Sequence, residues 1–179
     1  MEKNTRKFVT MGLLVALGYV SLFFIRIPII PSASFLRFDI KDVFISIGGL
    51  LFGPLYAFAG AIVVSLLQML SVSEYGIVGL IMNIISVSSF VIPQSIIYFK
   101  KKNSTGLICG LIIGSVSMVV AMLLWNYLIT PMYMGVTRDV VSKMIIPVFL
   151  PFNLIKSIIN SVIIFVIFAP VKKKLFKEE

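Results

Sequence analysis

Three polar side chains interrupt an apolar run near the end of the chain, and their spacing is that of one helix face. From Pro147 to Lys174 the sequence reads PVFLPFNLIKSIINSVIIFVIFAPVKKK, with Asn153, Lys156 and Asn160 at i, i+3 and i+7. An ammonium turned toward hydrocarbon costs at least roughly 2.5–3.5 kcal/mol. The face is therefore expected to look into a protein interior or a polar cavity. The competing reading is a lysine that snorkels to the nearer interface. Lys156 lies roughly 9 residues, about 13 Å, inside the span, and snorkelling leaves both asparagines without a role. Amides beside one cation suit the recognition of a hydrogen-bonding ligand.

Catalysis has little to work with here. The 179 residues include no histidine and one cysteine, Cys109. An intrachain disulfide, a His- or Cys-based metal site and histidine acid–base chemistry are thereby excluded. Lys156 and Ser157 are helix neighbours about 100° apart, which rules against a Ser–Lys dyad. No G-x-x-x-x-G-K-[ST] loop is present to hold ATP phosphates. Asp39 and Asp42, with Lys41 between them, make a poor metal donor set. The expectation is a protein that is not an enzyme, with no catalytic residue, no metal and no cofactor.

The elements that must position these residues are membrane spans. The chain is 59% hydrophobic and 13% charged, with a mean hydropathy of +1.09, which is the composition of an integral membrane protein. Its net charge of +9 does not read as a nucleic-acid patch. Lys3, Arg6, Lys7, Lys100, Lys101, Lys102, Lys172, Lys173, Lys174 and Lys177 all flank apolar runs, as topology determinants do. The fold class expected is all-α, a single six-helix membrane domain over 1–179. Its approximate spans are 8–25, 42–52, 54–70, 77–99, 106–128 and 147–169.

The first run, Phe8 to Ile25, follows a basic start as a signal peptide would. It reads instead as an uncleaved span, because Arg26, Pro28 and Pro31 separate it from the small residues Ser32-Ala33-Ser34. Gly12 and Ala16 form a small-xxx-small pair, suited either to a partner helix or to packing inside the bundle. Residues 26–41 read as an ordered loop whose Arg37, Asp39, Lys41 and Asp42 either decorate an interface or pair over a pocket. The stretch 42–52 is only about 16 Å long as a helix, against a hydrocarbon core of about 30 Å.

Gly53-Pro54 decides the parity of the topology. As a kink it gives five spans, with the lysine triads opposite the basic N-terminus. As a turn it gives six, with ten lysines and arginines on one side and five on the other (Arg26, Arg37, Lys41, Arg138 and Lys143). The positive-inside rule selects the turn and puts both termini in the cytoplasm. Glu74 then falls in a short external loop, and residues 130–144 form an external segment before the sixth span.

In that topology Gln68, Asn83, Asn126, Asn153 and Lys156 all fall in the outer halves of their spans, while Gln94 is nearly alone in the inner halves. A pocket open to the outside is expected, lined by amides, one cation and aromatic or methionine side chains. It would suit a flat, partly apolar small molecule. A proton or sodium pathway would call for an intramembrane carboxylate, and none is expected. The plainer alternative is that the amides join helices to one another.

The segment FDIKDVFISIGGLLFGPLYAFAGAIV resembles the loop and second to third spans of the substrate-binding S components of energy-coupling factor (ECF) transporters. WNYLITPMYMG followed by PFNLIKSIINSV resembles the riboflavin-specific branch of that family, through Asn126-Tyr127, Pro131-x-Tyr133 and Pro151 to Lys156. The resemblance implies six helices, cytoplasmic termini and a vitamin bound near the external face. It also implies, as partners, a transmembrane coupling subunit and two cytoplasmic ATPase subunits. Gly12 and Ala16 would meet the coupling subunit, glycine standing where the family usually has alanine. Leu36 to Lys41, with Leu36, Asp39 and Lys41 named as site residues, resembles the lid over the vitamin. Asn126, Asn153 and Lys156 resemble its polar contacts, to which depth alone adds Gln68 and Asn83. Riboflavin is the expected ligand; the rivals are another vitamin such as thiamine or folate, or a membrane scaffold that binds none.

Overall fold

A computed structural model describes residues 2–31, 33–72 and 75–175. Ser32, Glu74, Lys177 and the side chain of Lys3, named above, lie outside them. The chain is almost wholly helical: α1 (Glu2–Phe24), α2 (Lys41–Phe52), α3 (Pro54–Ser71), α4 (Gly76–Lys101), α5 (Ser104–Met134), α6 (Arg138–Met144) and α7 (Leu150–Leu175). The loop after α1 is ordered by a two-stranded antiparallel ribbon, β1 (Ile27–Pro28) against β2 (Arg37–Phe38), which pairs Ile27 with Phe38 and Pro28 with Arg37.

Gly53-Pro54 is a turn. Gly53 takes φ 110° and ψ 172°, backbone open essentially to glycine alone, and Pro54 starts α3 where its missing N–H is not needed. Beyond the turn the chain doubles back. A Cβ built on Gly49 would lie 2.7 Å from the Cβ of Ala57, whereas eight residues of straight helix span about 12 Å. Met11 of α1 fits between Gly48 and Gly60, one on each arm of this hairpin.

α2 is short because it is a core element. Lys41, Asp42, Val43 and the run Ile45 to Leu50 are buried, with α1, α3, α4 and α7 all packed against it. A helix apolar on every side belongs in the interior. Among the described residues, five other helical segments are long and apolar enough to cross a membrane: Asn4–Phe24, Pro54–Ser71, Gly76–Lys101, Ser104–Met134 and Arg138–Leu175.

The last two spans differ from expectation. α5 does not stop at Leu128; it continues through Pro131 to Met134, where Gly135 closes it at φ 65°. At 31 residues it is about 46 Å long, so its final turns outrun a hydrocarbon core of about 30 Å. Residues 138–144 are likewise helical. They join α7 through a π-helical turn, Ile145–Phe149. Pro147 within that turn cannot donate to a ladder, and a local widening accommodates it.

α4 and α5 approach most closely at Gly110 and Gly114. A Cβ there would lie 3.0 Å from the carbonyl oxygen of Gln94 and 2.5 Å from that of Phe90. Both chain ends meet at the same end of the bundle: Arg6 Nη2 donates to the carbonyl of Leu175 at 2.6 Å.

Candidate functional site: a lidded cavity over a buried charge cluster

At the other end of the bundle the loop 26–38 and the ends of α3, α4, α5 and α7 enclose a cavity. Leu36, Asp39, Gln68, Asn83, Asn126, Asn153 and Lys156, seven of the eight expected binding residues, line it. The eighth, Lys41, does not: it is fully buried behind Asp39, to which its ammonium donates at 3.0 Å. Its place is set by backbone direction, since Lys41 opens α2 and its neighbour Asp39, not Lys41 itself, faces the hollow.

Lys156 is only 6% exposed and does not face lipid. Its Nζ meets Asp39 Oδ2 and Asp42 Oδ2, each at 3.2 Å. Lys41 Nζ lies 3.0 Å from Asp39 Oδ1 and 3.5 Å from Asp42 Oδ1. Carboxylates therefore do reach the depth of Lys156, contrary to expectation. They arrive from the loop and the first turn of α2, which the hairpin carries into the bundle beside α7. Two ammoniums and two carboxylates form a neutral cluster, which is what allows four charges to be buried together. Burial pushes the Asp39 carboxyl up, but Lys156 and Lys41 more than offset this and hold it below the usual carboxylate range.

The three lining asparagines share one geometry. Asn83 Nδ2 donates to the Gly79 carbonyl at 2.9 Å, Asn126 Nδ2 to Met122 at 2.7 Å, and Asn153 Nδ2 to Phe149 at 2.8 Å. Each amide is thus held by the turn that precedes it, keeping a second N–H and an oxygen for other partners. Asn126 spends its oxygen on Thr130 Oγ1 at 2.9 Å. Gln68 Oε1 is buried without a partner among the described residues, an acceptor that a ligand or water would satisfy.

Aromatic side chains complete the lining. Phe35 meets Phe149 at 6.2 Å between ring centroids, and Tyr75 meets Tyr133 at 5.2 Å. Arg26 Nη1 donates to the Val72 carbonyl at 2.7 Å, tying the start of the loop to the end of α3. The sequence reading missed Arg26, Tyr75, Met82, Ser86, Met122 and Phe152 as lining residues. Helix spacing could have found several: Ser86 lies one turn after Asn83, Met122 one turn before Asn126, and Phe152 one turn before Lys156. The cavity has a volume of about 80 Å³ and is partly open to the outside of the bundle.

Gly12 and Ala16 lie elsewhere, exposed on the outer face of α1, and a Cβ on Gly12 would meet nothing within 4 Å. Gly18 instead packs against α2 at the Lys41 carbonyl, 3.3 Å from its built Cβ.

The profile of the family described as "ECF transporter, substrate-specific component" matches residues 6–168. The chain belongs to this family. As an ECF substrate-specific component it is a multi-pass membrane protein. It is similar to the riboflavin transporter RibU of Streptococcus thermophilus (strain ATCC BAA-250 / LMG 18311), 32% identical over 97% of this chain and 86% of that one. The riboflavin transporter FmnP of Bacillus subtilis (strain 168) is 28% identical over 94% of this chain and 93% of its own. RibU of Staphylococcus aureus (strain TCH60) is 30% identical over 94% and 90%. Among solved structures, one described as "Structure and mechanism of the S component of a bacterial ECF transporter" superposes with a TM-score of 0.80 at 28% identity. That match covers 97% of this chain and 99% of the other.

Proposed function

We propose that this ECF substrate-specific component binds riboflavin in the lidded cavity and hands it to a coupling subunit and two ATPase subunits for import, without chemistry of its own. The observation that carries the reading is the lining itself: helix-anchored amides and one buried ammonium among aromatic side chains. A flavin has a flat apolar ring to stack, a hydrogen-bonding edge and a chain of hydroxyls. Relatives named as riboflavin transporters, alike along most of their length, support the choice of this vitamin over thiamine or folate.

In this reading Asn126, Asn153 and Lys156 bind the polar parts of the ligand, Gln68 and Asn83 extend that set, and Leu36 and Asp39 belong to the lid. Lys41 acts from behind by holding Asp39. The cavity's volume of about 80 Å³ is below the roughly 300–1,000 Å³ of pockets that hold drug-sized ligands, so in this reading the cavity widens to admit the vitamin. The chain forms one membrane unit of six crossings, the hairpin of α2 and α3 supplying the second and third. Both termini lie in the cytoplasm beside the lysine-rich ends of α4 and α7. Gly12 and Ala16 offer the coupling subunit a smooth helix face.

The test is titration of riboflavin with purified protein. Flavin fluorescence is expected to be quenched with a stoichiometry of about one ligand per chain, as for a single pocket. Unquenched flavin would reject the assignment, and quenching by thiamine-competable sites would move it to that vitamin.

A further inference from the structure

A second hollow lies at the opposite end of the bundle, where the α2–α3 turn meets the ends of α4 and α7. Leu50, Leu51, Tyr98, Phe99, Lys102 and Lys172 line it, and its volume is about 270 Å³. Its two lysines are placed by aromatic rings. Lys172 Nζ donates to Tyr98 Oη at 2.8 Å and lies 5.5 Å from the centre of that ring. Lys102 Nζ sits 5.6 Å from the centre of Phe99, within cation–π range.

The rings are fixed in turn. Tyr98 is buried edge-on against Phe168 at 5.1 Å. The Phe99 ring closes on the hairpin turn, 3.5 Å from a Cβ built on Gly53. Lys102 is the only non-glycine among the described residues with a positive φ, 49°, a conformation that L side chains seldom adopt. No ion pair joins either lysine to a carboxylate among the described residues. Two ammoniums without a carboxylate partner among the described residues therefore bracket a concave site with leucine and phenylalanine walls, and nothing in the vitamin cavity uses it.

We propose that this hollow binds the phosphate of an anionic lipid headgroup. The lysines would grip the phosphodiester, and Leu50, Leu51 and Phe99 would line the first methylenes below it. A free phosphate would use the cations but leave the apolar walls unused. The site lies where α4 and α7 end, and basic pockets at the cytoplasmic ends of membrane-spanning helices select anionic lipid. The lipid assignment rests on the orientation proposed above, in which this end faces the cytoplasmic leaflet.

The test uses the full chain in phosphatidylcholine vesicles doped with phosphatidylglycerol. Bound lipid is read by native mass spectrometry after exchange into neutral detergent. The wild type is expected to retain phosphatidylglycerol in preference to phosphatidylcholine. K102A/K172A should bind it about 30-fold more weakly, from two lysines near an anionic surface, while K173A/K174A stays near wild type. Riboflavin quenching on the same samples reports folding and the vitamin site independently, so the two proposals fail separately.

Equal loss in both double variants would reduce the effect to diffuse charge and overturn the site. Equal retention in K102A/K172A would overturn it too. Inorganic phosphate binding the wild type as tightly as the lipid would assign the hollow to a soluble anion instead. Should K102A/K172A fail to fold, Tyr98→Phe removes the hydroxyl that holds Lys172 and should still weaken retention severalfold; unchanged retention there counts against the proposal.

Discussion

Lys156 is the residue on which the proposed vitamin site turns, and its surroundings say what its loss would do. It faces Asp39 and Asp42 at 3.2 Å each, and Asp42 is fully buried. Removing one member of a buried pair leaves an uncompensated charge, which costs about 3–5 kcal/mol. Lys156→Met is expected to lower stability in detergent by that order and to abolish flavin binding. Adding Asp42→Asn restores neutrality and should recover much of the stability but not the binding. A Lys156→Met protein that unfolds at the wild-type midpoint would contradict the charge cluster. The sequence reading saw the lysine and its helix face but not its partners, because they lie 117 and 114 positions earlier. Only folding brings the start of α2 beside α7.

At the scale of elements, the α2–α3 hairpin decides the architecture. Its turn depends on Gly53 at φ 110°, and Gly53→Ala is expected to cost about 1–3 kcal/mol through backbone strain. Gly76, at φ 51° with open space around its Cβ position, sits in the ordinary left-handed region. Gly76→Ala should therefore cost less, about 1 kcal/mol. Thermal unfolding of the two variants checks the order, and a smaller loss at Gly53 would argue against the tight turn. The hairpin was legible in Gly53-Pro54 and in the charge asymmetry of the chain. The extent of α5 was not: Pro131 reads as a stop in one dimension, yet the helix gives up one backbone hydrogen bond there and runs on to Met134.

For the whole molecule, one end of the bundle holds the cavity and the opposite end the lysine-lined hollow, while the outer face of α1 is exposed. Gly12 and Ala16 lie on that face, and neither lines the cavity. If they form the docking stripe for the coupling subunit, Gly12→Leu with Ala16→Leu leaves riboflavin affinity within about twofold, since neither touches the cavity. Uptake in cells that carry the energising module is then lost, because bulky residues prevent close helix approach. Full uptake by that variant would remove α1 from the interface. α5 carries a similar small-residue stripe, Gly110 and Gly114, but spends it on α4.

By itself the sequence determined the membrane class, the nearly all-helical build, the polar face of α7 and the amides that share its depth. Those follow from composition and from a period of 3.6 residues, both local properties of the chain. Tertiary structure alone decided that Lys41 stands behind the cavity, that two carboxylates neutralise Lys156, and that Tyr98 and Phe99 hold two lysines over a second hollow. Each depends on which helix lies beside which, and distances between remote segments are set by packing rather than by spacing along the chain.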